Sequence, residues 1–255
     1  MFDDIAGRVA VVSGGARGLG FSIATALAGQ GASVVLLDLL PTVTESAETL
    51  RRDHGVPAVG YVVDVTDAAA VEQVFDAAQG EVGPASILLT AAGISLWGDA
   101  VDVEPDTWRK VLAVNLDGTF FVAQSFARRA MAAGLDASAV FISSMSGFIV
   151  NQPQSQASYN TSKAAVSHLA ASLAVEWASH GVRVNAIAPG YFLSDMTRQF
   201  TDENPELARQ WVAATPLGRM GEPEDLHGLV LYLASSASSY LTAQTIVIDG
   251  GYTAL

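Results

Sequence analysis

Residues 9–31 read VAVVSGGARGLGFSIATALAGQG, three local patterns in direct succession. The first five residues are small or β-branched and mostly apolar, as a buried strand requires. A glycine-rich turn, GGARGLG, occupies residues 14–20, and FSIATALAGQG then carries apolar residues at the three- and four-residue spacing of a helix. Gly14, Gly18 and Gly20 let the backbone turn tightly and approach a diphosphate, whose charge is favoured at a helix N-terminus. Arg17 can reach a phosphate from within the turn, and Leu19 lies between its last two glycines. The spacing G-x-x-x-G-x-G departs from the G-x-G-x-x-G fingerprint, so the position after a first strand and before a helix carries the reading.

Outward from this unit, RVAVVS, SVVLLD, AVGYVVDV, SILLTAAG, AVFISS, VRVNAIAP and TIVIDG read as strands, with helical patterns between them. Asp67 before AAAVEQVFDAA and Pro223 in GEPEDLHGLVLYLA are helix start signals. Seven near-continuous apolar strands alternating with helices predict an α/β fold, a Rossmann-type doubly wound parallel sheet of seven strands covered by helices on both faces. No linker, repeat or low-complexity run interrupts the chain, which predicts one domain over residues 1–255. Ligands of such sheets bind beyond the carboxyl ends of the strands.

A net charge of −13 argues against nucleic acid and anionic membranes as partners, since both are bound by basic patches. No apolar run approaches the roughly 20 residues that cross a bilayer, and the opening MFDDIAGR has no leader pattern, so a soluble cytoplasmic protein is expected. Cysteine is absent, and His54, His168, His180 and His227 lack metal-binding spacing, so no metal site is expected.

The second strand ends at Asp38, eighteen residues past Gly20 and followed by Leu39 and Leu40 rather than by a base. A carboxylate there accepts from ribose hydroxyls and repels a 2′-phosphate, which favours NAD over NADP, although Arg17 complicates that preference. At the third strand end, Asp64 is either an acceptor for an adenine amino group or a cap of the following turn, with Val65 as a backbone contact.

Tyr159 and Lys163 begin the helical stretch SYNTSKAAVSHLAASLAVEWA and lie one turn apart on one face. Hydride transfer to or from a nicotinamide needs a proton donor or acceptor, and a phenol serves if a nearby ammonium and the cationic ring favour its ionised form. Lysine occurs only at positions 110 and 163, which makes Lys163 the candidate tuning charge.

With these residues the chain resembles the short-chain dehydrogenase/reductase family of the classical type, over nearly its whole length. The resemblance is carried by GGARGLG, Asp64-Val-Thr, Asn115-Leu-Asp-Gly, SSMSG, Tyr159-Asn-Thr-Ser-Lys163, RVNAIAPG and IDGGYTAL in that order. It implies Tyr159 as acid/base, Lys163 as its tuner and ribose anchor, Ser144 as partner of the substrate oxygen, and Asn115 as organiser of a proton-relay water. Residues 189–194 should meet the nicotinamide, with Pro189, Gly190 and Ser194 as contacts. Two departures stand out. The family's Asn-Asn-Ala-Gly appears as Thr90-Ala91-Ala92-Gly93, leaving Ala92 and Gly93 as backbone contacts. The spacing from Ser144 to Tyr159 is fifteen, where thirteen is common and would point to Ser146; the strand-end context favours Ser144.

The segment from SSMSG to APGY resembles the polyol branch of this family, the galactitol and arabinitol dehydrogenases and sorbose reductases. A polyol or ketose substrate asks for several donors and acceptors, which Ser144, Ser146, Asn151 and Gln152 would supply beside Tyr159, with Tyr191 and Phe192 shaping the pocket; the alternatives are that residues 151–153 build a turn and that Tyr191 and Phe192 serve lid packing. The polar run after APGY predicts a substrate lid at about 190–215. A homotetramer is the assembly that the resemblance implies. The rival readings are a 3-oxoacyl thioester or other carbonyl reductase on the same scaffold, and a dinucleotide sensor without turnover.

Overall fold

The 9–31 stretch folds as a strand, turn and helix: Val9–Ser13 forms β1 and Gly18–Gly29 forms α1 in the computed structural model, which describes residues 2–194, 197 and 201–254. The other strands are β2 (Ser33–Asp38), β3 (Ala58–Val62), β4 (Ile87–Thr90), β5 (Ala137–Ile142), β6 (Val182–Pro189) and β7 (Thr245–Ile248). All pair in parallel, in the order β3-β2-β1-β4-β5-β6-β7. The chain therefore runs outward from β1 to one edge and returns to start the other half at β4. That reversal opens a crevice above the carboxyl ends of β1 and β4.

Between the strands lie α2 (Val43–His54), α3 (Ala68–Val82), α4 (Pro105–Leu112), α5 (Gly118–Ala132), α6 (Ala157–Trp177), α7 (Pro205–Ala214) and α8 (His227–Ala234). The strands are apolar on both faces because both faces are covered. Ala10 and Val12 pack with Ile23, Leu27, Ala47 and Val230 on the side of α1, α2 and α8. Val9 and Val11 pack with Phe75, Phe126 and Val166 on the side of α3, α5 and α6.

The start signals act as read. Asp67 caps α3 by accepting from the N–H groups of Ala69 and Ala70, both at 3.0 Å. Pro223 opens a 3₁₀ turn, Pro223–Leu226, that runs into α8 behind a reciprocal cap between Glu222 and Asp225. β3 and β4 stop short of the quoted stretches, which leaves Asp64, Val65 and residues 91–93 as loop backbone over the crevice. Part of the expected lid, residues 195, 196 and 198–200, lies outside the described residues; α7 forms within the remainder. Among the described residues, no helix is long and apolar enough to cross a membrane and no group of three potential ligands could hold a metal ion.

A Cβ placed on Gly20 would lie 2.1 Å from the Gly14 carbonyl oxygen, and one on Gly14 would lie 2.6 Å from the Ala92 nitrogen. The glycine turn is thus pressed between α1 and the end of β4, against backbone that cannot rotate away. We expect Gly20→Ala to lower the melting temperature by several degrees and to weaken NADH binding by about tenfold or more, read by thermal melting and fluorescence titration. Wild-type affinity would show that the turn can relax.

Candidate active site

The crevice begins at the N-terminus of α1. Its N-cap residue, Arg17, is exposed and extended, and its side chain makes no capping bond. Among the described residues no side chain accepts from the first-turn N–H groups, the arrangement that receives an anion. Gly18 has φ of +61°, and a Cβ there would meet nothing closer than the Ser194 side chain at 3.9 Å. A cleft of about 390 Å³ separates this helix start from Leu193, Ser194 and the Pro223–His227 turn. Leu19, half-buried, packs on the α1 side of the core.

Asp38 reaches back to the glycine turn: its Oδ2 accepts from Ala16 N–H at 2.9 Å and its Oδ1 from Leu40 N–H at 3.0 Å. Both oxygens keep further lone pairs for hydroxyl donors. Asp64 caps its own turn, with Oδ1 accepting from the N–H and hydroxyl of Thr66 at 2.9 and 2.8 Å. Val65 is buried against Gly118, where a Cβ would come within 2.6 Å of its Cγ2. Ala92 N–H makes only a long contact to Ser13 Oγ, 3.5 Å. At Gly93 a Cβ would lie 3.3 Å from Asn115 Oδ1 and 3.5 Å from Lys163 Nζ, so this glycine lets the loop approach both. At the departure, Thr90 Oγ1 is buried and has no partner among the described residues.

α6 presents Tyr159 and Lys163 from successive turns, with Nζ 5.7 Å from the phenol ring centroid. Nζ donates to the Ile142 carbonyl at the end of β5, 2.8 Å, and its burial lowers the lysine pKa to about 8. Burial raises the Tyr159 pKa, and a hydrogen bond with Ser144 pulls it back. Ser144 leaves β5 in extended conformation, and its Oγ accepts from Ser146 N–H at 3.1 Å. The geometry thus brings Ser144 to the phenol, whereas Ser146 faces Gln156. The turn between them sits directly on α6: a Cβ on Gly147 would be 2.9 Å from Ala164 N.

Asn115 lies on a π-helical turn, Ala113–Asp117, that joins α4 to α5 and is fully buried. Its Oδ1 accepts from Ile94 N–H at 2.8 Å, and its Nδ2 donates to Ile94 O at 3.0 Å and Ser162 Oγ at 2.9 Å. Ser162 in turn donates to the Tyr159 carbonyl at 2.7 Å. The carboxamide therefore ties the loop after β4 to the face of α6 that carries Tyr159 and Lys163. The Asn115 main-chain carbonyl accepts from Thr119 Oγ1 at 2.8 Å and keeps a second lone pair.

A third group stands beyond Ser146. Gln156 Nε2 approaches Ser146 Oγ, Asn151 Oδ1 and Asn160 Oδ1 at 3.3, 3.2 and 2.9 Å. The Tyr191 hydroxyl accepts from Asn151 Nδ2 at 3.1 Å and Gln154 Nε2 at 2.7 Å. The Tyr191 ring stacks on Trp211 of α7, with centroids 4.2 Å apart, and meets Tyr252 edge-on; burial raises its pKa to about 12. Pro189 ends β6, and Gly190 passes so close to Asp249 that a Cβ would lie 2.7 Å from its Cα. Ser194 N–H donates to Thr197 Oγ1 at 2.7 Å. Sequence reasoning missed Gln154, Gln156 and Ser162. The amide-rich run NQPQSQ, residues 151–156, is the signal that points to the two glutamines, whereas Gln152 in the same run is exposed.

Comparison with known proteins identifies the family of the chain and its fold. A family model described as Enoyl-(Acyl carrier protein) reductase matches residues 14–253. Galactitol 2-dehydrogenase (L-tagatose-forming) of Cereibacter sphaeroides is 44% identical over 97% of this chain and 95% of its own length. D-arabinitol 2-dehydrogenase (ribulose-forming) of Scheffersomyces stipitis is 41% identical over 96% and 94%. A short-chain dehydrogenase/reductase of Mycobacterium marinum superposes with a TM-score of 0.94 at 37% identity, over 100% of this chain and 98% of that one. A gluconate 5-dehydrogenase of Burkholderia cenocepacia, solved with NADP and tartrate, gives 0.93 at 34% identity, over 100% and 99%. The chain belongs to the short-chain dehydrogenase/reductase family, dinucleotide-dependent oxidoreductases acting on CH–OH groups.

Proposed function

We propose that the protein interconverts a secondary alcohol of a polyol and the corresponding ketose, with NAD as the preferred dinucleotide. The observation that carries the reading is the wall of hydroxyl and carboxamide groups that starts at half-buried Tyr159 and continues through the buried Ser144, Ser146, Gln156, Asn151 and Gln154. A substrate with several hydroxyls suits such a wall, because Ser146 Oγ and Gln154 Oε1 keep hydrogen-bonding capacity that an apolar substrate would not use. The names of the galactitol and arabinitol dehydrogenases support the same class.

The dinucleotide supplies the hydride acceptor or donor when bound. Gly14, Arg17, Gly18, Leu19 and Gly20 would hold its diphosphate, and Asp38 a ribose. Asp64 and Val65 would meet the adenine end, with Ala92, Gly93, Pro189, Gly190 and Ser194 around the nicotinamide. The uncapped start of α1 fits a diphosphate, and the Asp38 carboxylate opposes a 2′-phosphate. During oxidation, the Ser144 hydroxyl holds the carbinol oxygen while the Tyr159 phenolate takes its proton; in reduction, Tyr159 returns that proton to the carbonyl oxygen. The Lys163 ammonium favours the phenolate and binds the nicotinamide ribose. Asn115 holds the loop after β4 against α6 and offers its carbonyl to a relay water. Tyr191 and Trp211 form the lid side of the pocket. Exposed Val175 on α6 supports self-association, with a homotetramer as the proposed assembly, and the cysteine-free chain suits the cytoplasm.

The test is NADH formation at alkaline pH over a panel of alditols and simple secondary alcohols, with NADP⁺ in parallel. We expect rapid oxidation of one alditol configuration and at least about a tenfold preference for NAD⁺. A second reading, reduction of a 3-oxoacyl thioester, is favoured by Phe148 and Val150, exposed apolar residues on the loop after Ser146. Silence on every alditol together with NADPH-linked thioester reduction would establish it instead.

A further inference from the structure

The polar wall is not a uniform surface, and one residue organises it. Gln156 precedes α6, is buried, and touches three side chains around the reacting centre: Ser146, Asn151 and Asn160, the last adjoining Tyr159. A carboxamide nitrogen has two protons, and here it faces three oxygens. The Asn160 contact is shortest at 2.9 Å, Asn151 follows at 3.2 Å, and Ser146 is longest at 3.3 Å. Ser146 Oγ is therefore the least satisfied of the three. It keeps an available lone pair as well as its own hydroxyl proton, the combination that matches a carbinol group, which both donates and accepts.

Asn151 has the opposite character. Its Oδ1 is held by Gln156 and its Nδ2 by the Tyr191 hydroxyl, so it transmits position between the two. The chain of contacts then ends at Gln154, whose Nε2 is committed to Tyr191 while its buried Oε1 has no partner. Buried acceptors are rarely left unmade in native proteins. A network that begins with an under-bonded hydroxyl and ends with an unpaired carbonyl oxygen is built for hydroxyl groups that the protein does not itself supply.

Building on the polyol reading, we propose that Gln156 is a positioning residue that sets the preference for polyhydroxylated substrates, by holding Ser146 in place to engage a hydroxyl beyond the reacting carbon, with Asn151 bracing it toward Tyr191. Its influence falls on the part of the substrate that a simple alcohol lacks. Hydride and proton transfer at Tyr159 do not pass through it.

Gln156→Met keeps the length and much of the volume of the side chain and removes both donors. The experiment compares kcat and KM of wild type and variant on the best alditol, on the same alditol lacking one hydroxyl next to the reacting carbon, and on butan-2-ol. NADH titration and thermal melting check that the variant is folded and binds cofactor. We expect kcat/KM on the full alditol to fall about 10- to 50-fold, mainly through KM, with the value on butan-2-ol within about twofold of wild type. The deoxy alditol should cost the wild type a similar factor and the variant little more, since both changes remove one interaction. Ser146→Ala combined with Gln156→Met should be no worse than the worse single variant. Equal losses on alditol and butan-2-ol would overturn the inference and make Gln156 a general scaffold for α6, and unchanged alditol kinetics would overturn it outright. Failure of the wild type to oxidise any alditol would sink the polyol reading itself, an outcome visible before any variant is made.

Discussion

Tyr159→Phe is expected to lower kcat for alcohol oxidation by about 10³-fold or more while NADH affinity stays within about twofold, measured by steady-state kinetics and by fluorescence titration. The phenol is held in place by its own helix and by packing, so the ring should stay where it is when the hydroxyl is lost. What disappears is the group that exchanges a proton with the substrate oxygen, together with the hydrogen bond to Ser144. Residual turnover comes from binding and alignment alone. Unchanged turnover would remove Tyr159 from the acid/base role; loss of NADH binding as well would indicate a structural failure rather than a chemical one.

Lys163→Met carries the second large effect, and its sign can be worked out from the charges. Burial raises the Tyr159 pKa, which disfavours the phenolate that oxidation needs, and an ammonium nearby acts in the opposite direction. Replacing that ammonium with an apolar group of similar length leaves the burial and removes the charge. The acid limb of the pH profile for oxidation should move to higher pH by about one unit or more, with kcat/KM at pH 7 down about 10²-fold and partial recovery in alkali. Burial lowers the pKa of Lys163 itself to about 8, so part of its charge is lost in the same alkaline range. A proportional loss at every pH, with no displacement of the limb, would restrict Lys163 to holding the ribose.

The fold was legible because the five inner strands, β2, β1, β4, β5 and β6, are buried on both faces and therefore read as apolar runs, with Gly14, Gly18 and Gly20 marking the first crossover. Tyr159, Lys163 and Ser144 could be placed from order and spacing, and the contact between Ser144 and the phenol distinguishes it from Ser146. The partners of Asn115 were not legible. Its carboxamide bonds to the backbone of Ile94 and to Ser162, contacts that depend on a π turn whose extra residue leaves no pattern in composition. Gln154 and Gln156 escaped for a related reason. Their work is done through amide contacts between loops, and periodicity carries no information about those.

Asp38 joins the far end of β2 to the turn that follows β1 through its bond to the Ala16 N–H. The same carboxylate that would discriminate between ribose and phosphorylated ribose is thus a brace for the diphosphate loop. Redesigning the protein for a phosphorylated dinucleotide by substituting a small neutral residue here would remove the repulsion and slacken the loop in one step. A successful redesign has to install a new acceptor for the Ala16 amide along with the new cation.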